Sequence, residues 1–113
     1  MEKPDKTPVH KGWVHKQSRF LRQWRRRFAV LTSTHFLTYD REHNKGEPTE
    51  AFLLKHCFGV KSCDDETSKQ NSFRIDYAGK PFYFFCETKT EKDKWIGSIS
   101  KILCLIFSKM FFS

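Results

Sequence analysis

The chain has 113 residues and a net charge of +8 at pH 7, a size at which one hydrophobic core supports a single domain. Twelve Phe, three Trp and three Tyr give such a domain large apolar side chains to bury. The polar start at residues 2–6 does not have the apolar centre of a signal peptide, and the four cysteines include no Cys-x-x-Cys pair. We therefore expect a cytoplasmic protein with reduced thiols rather than a secreted, disulfide-linked one.

The positive charge is concentrated in the first third of the chain. Residues 1–31 carry nine Lys or Arg and two Asp or Glu, whereas residues 32–113 carry twelve and eleven. Six of the basic residues fall within Lys16–Arg27, which contains no acid and leads directly into the apolar run Phe28–Leu31. Cations at this density repel one another unless an anion meets them. The pattern predicts a phosphate-bearing partner, which from charge alone could be a phospholipid headgroup, a nucleic acid or a phosphoprotein.

Seven short strands and one helix are predicted in chain order. After a disordered lead-in at residues 1–9, alternating or continuously apolar runs predict strands. These strands cover residues 11–16, 24–31, 35–39, 51–54, 58–61, 72–77 and 82–86. The polar, acidic stretch between residues 62 and 71 is predicted to be a solvated loop.

The apolar period changes after residue 88. Trp95, Ile96 and Ile99 begin a stripe at helical spacing, and Thr88 or Thr90 is the expected cap. Strands do not alternate with helices, which excludes a doubly wound nucleotide-binding fold. The sequence predicts a mainly β fold, a seven-stranded antiparallel β-barrel or sandwich closed at one end by a C-terminal α-helix. Residues 10–103 form the domain, and residues 104–113 are an apolar extension of the helix, which either packs along the barrel, dimerises or lies in a membrane interface.

Three segments in this order carry a family resemblance. Lys11–Lys16 reads Lys-Gly-Trp-x-x-Lys, Trp24–Leu31 reads Trp-Arg-Arg-Arg-Phe-Ala-Val-Leu, and Trp95 stands alone in the final helix. Together they resemble the pleckstrin homology (PH) domain over residues 10–103. The resemblance implies a partly open barrel with one end closed by the helix. It also implies that the first loops at the other end hold an inositol phosphate headgroup.

The primary candidate site consists of Lys16, Arg25 and Arg27. Successive side chains on a strand alternate faces, so Arg25 and Arg27 project together while Arg26 points away. Lys16 ends the preceding strand and can converge with that pair across a hairpin. Guanidinium groups suit bidentate phosphate contacts, and a lysine adds a mobile point charge. The resemblance places the family's ligand motif on the same three residues.

Four further residues are predicted to make secondary phosphate or membrane contacts. They are Arg19, Arg22, Thr38 and Lys80. Thr38, or Tyr39 if the strand shifts by one residue, stands where members selective for 3-phosphorylated inositides carry Tyr, and Thr49 stands where they carry a basic residue near the fourth strand. Phe20 and Leu21, at the tip of the basic loop, can enter the interfacial region of a bilayer.

The sequence predicts a non-catalytic signalling adaptor that binds phosphoinositides and associates peripherally with anionic membranes. The alternative is a protein-interaction module on the same barrel, with weak or no lipid binding, whose partner is a peptide or a small GTPase. Nucleic acid is not an expected partner, because the aromatic residues have core patterning rather than that of an exposed stacking platform. No cofactor and no metal are expected, since the histidines lack ligand spacing and no nucleophile–base arrangement is found.

Overall fold

The computed structural model describes residues 3–4, 7–42 and 46–112 of the chain, with the backbone alone for residues 111 and 112. Seven antiparallel strands form one sheet in the order β4-β3-β2-β1-β7-β6-β5. The strands are β1 His10–Gln17, β2 Trp24–Leu31, β3 His35–Tyr39, β4 Glu50–Leu53, β5 Cys57–Ser62, β6 Ser72–Tyr77 and β7 Lys80–Phe85. The helices are a 3-10 turn at Leu54–His56, a single-turn helix α1 at Asp64–Thr67 and the long helix α2 at Lys89–Phe112.

The sheet is curled but not closed, which confirms the predicted fold class. Strand β1 joins its two halves, pairing along its length with β2 and by two residues, His15 and Lys16, with β7. Within the described ranges, the edge strands β4 and β5 do not pair with each other. The end of the sheet formed by the β1–β2 loop and the start of β4 is therefore an open mouth.

The core lies between the two halves of the sheet and under α2. Trp95 is 1% exposed and packs edge-on against Phe36, with ring centroids 5.5 Å apart. Phe36 contacts Phe84 in the same manner at 5.4 Å. Such aromatic pairs stabilise a small core beyond the area that they bury. The helix thus fills one end of the barrel with the stripe that its sequence predicted.

Two polar motifs fix the start of α2. The Thr88 hydroxyl accepts a hydrogen bond from the Glu91 backbone N–H at 3.1 Å, as an N-cap side chain does, and donates to the Glu91 carboxylate at 3.1 Å. Lys92, 8% exposed, donates to Ser62 Oγ at 2.6 Å and to Asp64 Oδ1 at 2.9 Å. These bonds tie α2 to the β5–β6 connection.

Helix α1 stands in the stretch predicted to be a solvated loop, so that prediction was wrong in part. The Asp64 carboxylate accepts bonds from the backbone N–H groups of Asn71 and Ser72, at 3.2 and 2.8 Å. The N–H groups of Glu66 and Thr67 donate to the Cys63 carbonyl. Four residues are too few to show a helical period, and the turn depends on partners seven and eight residues away.

The N-terminal and C-terminal segments make different contacts with the rest of the domain. Residues 1, 2, 5 and 6 of the predicted lead-in lie outside the described residues, and the Val9 N–H donates to the Leu31 carbonyl at 2.7 Å. Helix α2 continues through the predicted extension, where Ile106 and Phe107 pack on the core while Leu105 and Met110 are exposed.

Within the described residues, every helix is too short or too polar to span a bilayer.

Candidate functional site

The β1–β2 hairpin places three cations at the open mouth of the sheet. Lys16 is the direct partner of Arg25 in the ladder, and Val14 is the partner of Arg27. Because side chains alternate, Lys16, Arg25 and Arg27 all face one side of the hairpin. They line a cleft of about 300 Å³, which we call the mouth cleft. The remaining lining residues are Ser18, Arg19, Phe20, Thr49 and Glu50.

Arg26 has the opposite orientation, as the alternation predicted. Its guanidinium lies 3.8 Å from the ring centroid of Trp13, which is on the outer face of the sheet. This is a cation–π contact. Arg25, Arg26 and Arg27 therefore carry the same charge within three consecutive positions, but only the first and the last line the mouth cleft.

Local bonds hold the basic loop in shape. The Ser18 N–H donates to the Gln23 carbonyl at 2.7 Å, and the Gln23 N–H donates back to Ser18 Oγ at 3.1 Å. Arg22 has φ of 52°, the left-handed conformation that lets the chain reverse direction here. The loop therefore extends from the end of β1 as a closed hairpin.

Within the described part of the chain, Arg25 and Arg27 have only surface contacts as partners. Arg25 Nη2 donates to Gln23 Oε1 at 3.3 Å, and Arg27 Nη1 donates to the Arg26 carbonyl at 3.0 Å. Arg27 also lies 3.4 Å from Asp40, a carboxylate that is 69% exposed. An ion pair of this kind contributes little to stability and yields readily to a competing anion. Each guanidinium has five N–H donors, most of which these contacts do not use.

Lys16 is held much more tightly. Its ammonium is 2.5 Å from Glu50 Oε1 and donates to the Gln17 carbonyl at 3.0 Å, and its side chain is 7% exposed. The ammonium also lies 5.8 Å from the ring centroid of Phe82. The sequence analysis missed Glu50, which comes 34 positions after Lys16 and pairs in the sheet with Thr38. The curl of the sheet brings its carboxylate to Lys16, and no local pattern indicates this.

Thr38 is not on the wall of the mouth cleft, which corrects its prediction as a direct contact. Its side chain is fully buried, and its hydroxyl lies 2.7 Å from Thr49 Oγ1. Alternation along β3 turns Thr38 into the barrel, opposite Ala29 and Glu50 in the neighbouring strands. Thr49 lines the cleft instead, with Thr38 supporting it from behind.

The other three secondary residues line a neighbouring cleft. Arg19, Arg22 and Lys80 border a space of about 610 Å³ between the β1–β2 loop and the β6–β7 turn. Arg19 lines both clefts, and its guanidinium lies 4.9 Å from the Phe82 ring centroid. Glu66, on the far wall, accepts two bonds from Arg74 at 2.9 Å. These bonds lower the pKa of Glu66 and compensate its charge.

The tip of the basic loop is apolar. Phe20 is 93% exposed and Leu21 is 68% exposed, between the cations Arg19 and Arg22. Exposed aromatic and aliphatic side chains flanked by basic ones are typical of surfaces that enter a lipid interface. The tip therefore differs from a merely solvated hairpin, which would have polar residues at this position.

The carboxylates, histidines and cysteines bear on metal binding and nucleophilic chemistry. In residues 3–4, 7–42 and 46–112, no three His, Cys, Asp or Glu side chains are grouped as metal ligands. The four cysteines are free, and burial raises the pKa of the Cys57 and Cys86 thiols to about 12. At neutral pH these two thiols are protonated, a state that does not favour nucleophilic chemistry.

Solved structures of PH domains have folds similar to that of this chain. A solution structure of a PH domain matches with a TM-score of 0.78 at 20% identity, covering 92% of each chain. The C-terminal PH domain of pleckstrin, solved with an inositol pentakisphosphate, matches with a TM-score of 0.74 at 24% identity, covering 86% of this chain and 96% of that one. The Slm1 PH domain, solved with phosphoserine, matches with a TM-score of 0.75 at 16% identity, covering 86% and 96%.

Curated relatives contain the same domain. Pleckstrin homology domain-containing protein 1 of Arabidopsis thaliana is 28% identical over 98 residues, which are 83% of this chain and 68% of that protein. A PH domain-containing protein of Dictyostelium discoideum is 32% identical over 93 residues, which are 81% of this chain but only 20% of the relative. The family described as PH domain matches residues 8–103. The chain therefore belongs to the PH domain family.

Proposed function

We propose that this domain binds phosphoinositide headgroups in the mouth cleft and thereby recruits its protein to the cytoplasmic, anionic surface of a membrane. Lys16, Arg25 and Arg27 would bind the headgroup, with Arg25 and Arg27 holding its phosphates. The observation that carries the proposal is that three cations, from two adjacent strands, line one small cleft at the open end of the sheet. PH domains are generally non-catalytic binding modules, and we propose no chemical step.

The energetics suit reversible recruitment. A charge-assisted hydrogen bond contributes about 1.5–3 kcal/mol net. Basic residues near an anionic leaflet add roughly 1 kcal/mol each, reduced by salt. A few such bonds in the mouth cleft, with the surrounding basic loop, give on the order of −8 kcal/mol, or micromolar affinity.

The loop would supply the membrane contacts that a headgroup alone does not. Phe20 and Leu21 would enter the interface, and Arg19 and Arg22 beside them would meet lipid phosphates. Lys80, across the neighbouring cleft, would add a further cation on the same side of the loop. The C-terminal PH domain of pleckstrin, which has a similar fold, was solved with an inositol pentakisphosphate, and this supports the proposed ligand class.

Vesicle sedimentation with a matched pair of variants tests the proposal. Arg27→Ala and Arg26→Ala remove the same charge from adjacent positions, but only Arg27 lines the mouth cleft. With vesicles containing phosphatidylinositol 4,5-bisphosphate, we expect Arg27→Ala to weaken binding at least tenfold, the effect of one lost charge-assisted bond. Arg26→Ala is expected to weaken it less than about threefold, because an exposed charge outside the cleft contributes only screened attraction.

Two results would contradict the proposal. Equal losses in the two variants would mean diffuse attraction without a site. No binding of the unmodified domain to these vesicles would leave the protein-interaction module as the function to test. Vesicles in which phosphatidylserine supplies the same total charge serve as the control for net charge.

A further inference from the structure

The mouth cleft contains a carboxylate where a receptor for phosphates would be expected to have none. Among the residues that the structure describes, Glu50 is the one acid that lines the cleft. Its side chain is 29% exposed and therefore faces incoming ligand as well as Lys16. The cleft thus presents the cations Lys16, Arg19, Arg25 and Arg27 together with one carboxylate, which is paired with the most buried of them.

Both halves of the Glu50–Lys16 pair are held in place. The Thr49 N–H donates to the Thr38 carbonyl at 2.7 Å, and the two threonine hydroxyls are also 2.7 Å apart, which fixes the backbone just before Glu50. On the other side, the Lys16 ammonium has its bond to the Gln17 carbonyl and almost no exposure. Separating the Glu50 carboxylate from the Lys16 ammonium would leave a buried charge unpaired, which is costly in free energy. The ion pair is therefore expected to persist when a ligand enters the cleft.

We propose that Glu50 is a specificity-determining residue of the headgroup site, a proposal that rests on the proposed function. Its carboxylate excludes phosphate from the Lys16 side of the cleft and accepts a hydrogen bond from a ring hydroxyl there. A phosphate next to it would bring two anions together where solvent screens them poorly. A hydroxyl would instead make a strong, charge-assisted bond. The domain therefore selects inositol rings with a free hydroxyl beside Lys16 and with their phosphates at Arg25 and Arg27.

Titration calorimetry with two soluble ligands tests this selection. Inositol hexakisphosphate has no free hydroxyl, so every orientation places a phosphate against Glu50, whereas inositol 1,4-bisphosphate can turn a hydroxyl towards it. We expect Glu50→Gln, which retains an oxygen for Lys16, to raise the affinity for the hexakisphosphate about tenfold, the size of one repulsive charge contact in such a site. Affinity for the bisphosphate should change less than about threefold or fall, since the amide is a weaker acceptor.

Glu47→Gln is the matched control, because it makes the same charge change three residues away, at an exposed position outside the lining of the cleft. An equal gain for both ligands in Glu50→Gln, no gain for either, or an equal gain in Glu47→Gln would overturn the inference. Should Glu50→Gln fail to fold, as judged by thermal unfolding, Glu50→Ala is expected to change the ratio of the two affinities in the same direction.

The same titrations separate this inference from the proposed function. If the unmodified domain binds both ligands and Arg27→Ala weakens both, the headgroup site stands whatever Glu50 does. If neither ligand binds to the unmodified domain or to Glu50→Gln, both proposals are wrong. If binding occurs but is indifferent to Arg27→Ala, the proposed site is wrong and the selection by Glu50 is wrong with it.

Discussion

Asp64 connects the β5–β6 segment to helix α2, and we expect Asp64→Asn to destabilise the domain in a pH-dependent way. Its Oδ1 accepts bonds from the Ser72 N–H at 2.8 Å, the Ser72 hydroxyl at 3.1 Å and Lys92 Nζ at 2.9 Å. Its Oδ2 accepts the Asn71 N–H at 3.2 Å. An amide at this position has no charge for Lys92, and its NH₂ group cannot accept from the backbone.

The pKa of Asp64 sets the size of the effect. Partial burial on its own raises this pKa, but the bonds from Lys92, Ser72 and Asn71 outweigh it and lower the pKa from 3.8 to about 2. At about 1.4 kcal/mol per pKa unit, the full shift corresponds to roughly 2.5 kcal/mol. The carboxylate is 41% exposed, and solvent screening reduces this to about 1 kcal/mol.

The sign of the pH dependence follows from the direction of that shift. Because the folded pKa lies below the unfolded one, the stabilisation is complete above about pH 4 and is lost as the pH falls towards 2. Asp64→Asn should therefore lower the free energy of unfolding by about 1 kcal/mol at pH 7. The difference from the unmodified domain should shrink below pH 4 and vanish near pH 2.

Urea unfolding followed by tryptophan fluorescence measures these free energies, since Trp95 reports on the core. Asp65→Asn is the control, because it removes the same charge from the next residue, which is exposed. It should have little effect at any pH. A loss in Asp64→Asn that does not depend on pH, or an equal loss in Asp65→Asn, would refute the reasoning.

Three further predictions concern the loop, the core and the thiols. Replacing Leu21 by Ser should weaken vesicle binding about fivefold while leaving the affinity for soluble inositol phosphates within about twofold, because Leu21 is exposed and outside the lining of the mouth cleft, so only the membrane contact loses apolar area; equal losses in both assays would contradict this. Trp95→Ala should cost about 3–5 kcal/mol in urea unfolding, the cost of a large cavity, and a loss below 1 kcal/mol would contradict the role of Trp95 in the core. Ellman's reagent should label one thiol in the native domain, the exposed Cys104, and all four in denaturant; native labelling that survives Cys104→Ser would be inconsistent with the buried positions of the others.

Local sequence patterns were sufficient to predict most of the fold. Strands β2, β3 and β6 have the predicted bounds, since their apolar runs are flanked by turn residues. Alternation along one strand likewise separated Arg26 from Arg25 and Arg27, a relation between neighbouring positions. Alternation places Thr38 on the same face as Arg25 and Arg27, so this rule alone does not distinguish a side chain on the cleft wall from one buried behind Thr49.

Glu50 and helix α1 could not be predicted in this way, because each depends on partners distant in sequence. Glu50 reaches Lys16 only because the sheet curls across its own mouth. Helix α1 depends on the bonds of Asp64, one of which comes from Lys92 in α2. The Lys16–Glu50 and Asp64–Lys92 contacts span 34 and 28 positions, more than a window of 11–18 residues contains.

The two ends of the barrel differ in how their charges are compensated, and this difference bears on function. At the end filled by α2, the buried Lys92 is matched by Asp64 and Ser62 within the domain. At the open mouth, the described partner of Arg25 is a side-chain amide, and those of Arg27 are a backbone carbonyl and an exposed carboxylate. Like charges left adjacent in this way reduce the stability of the free domain, and a bound anion would restore it by mass action. A polyanionic ligand that relieves this repulsion would therefore raise the free energy of unfolding of the domain.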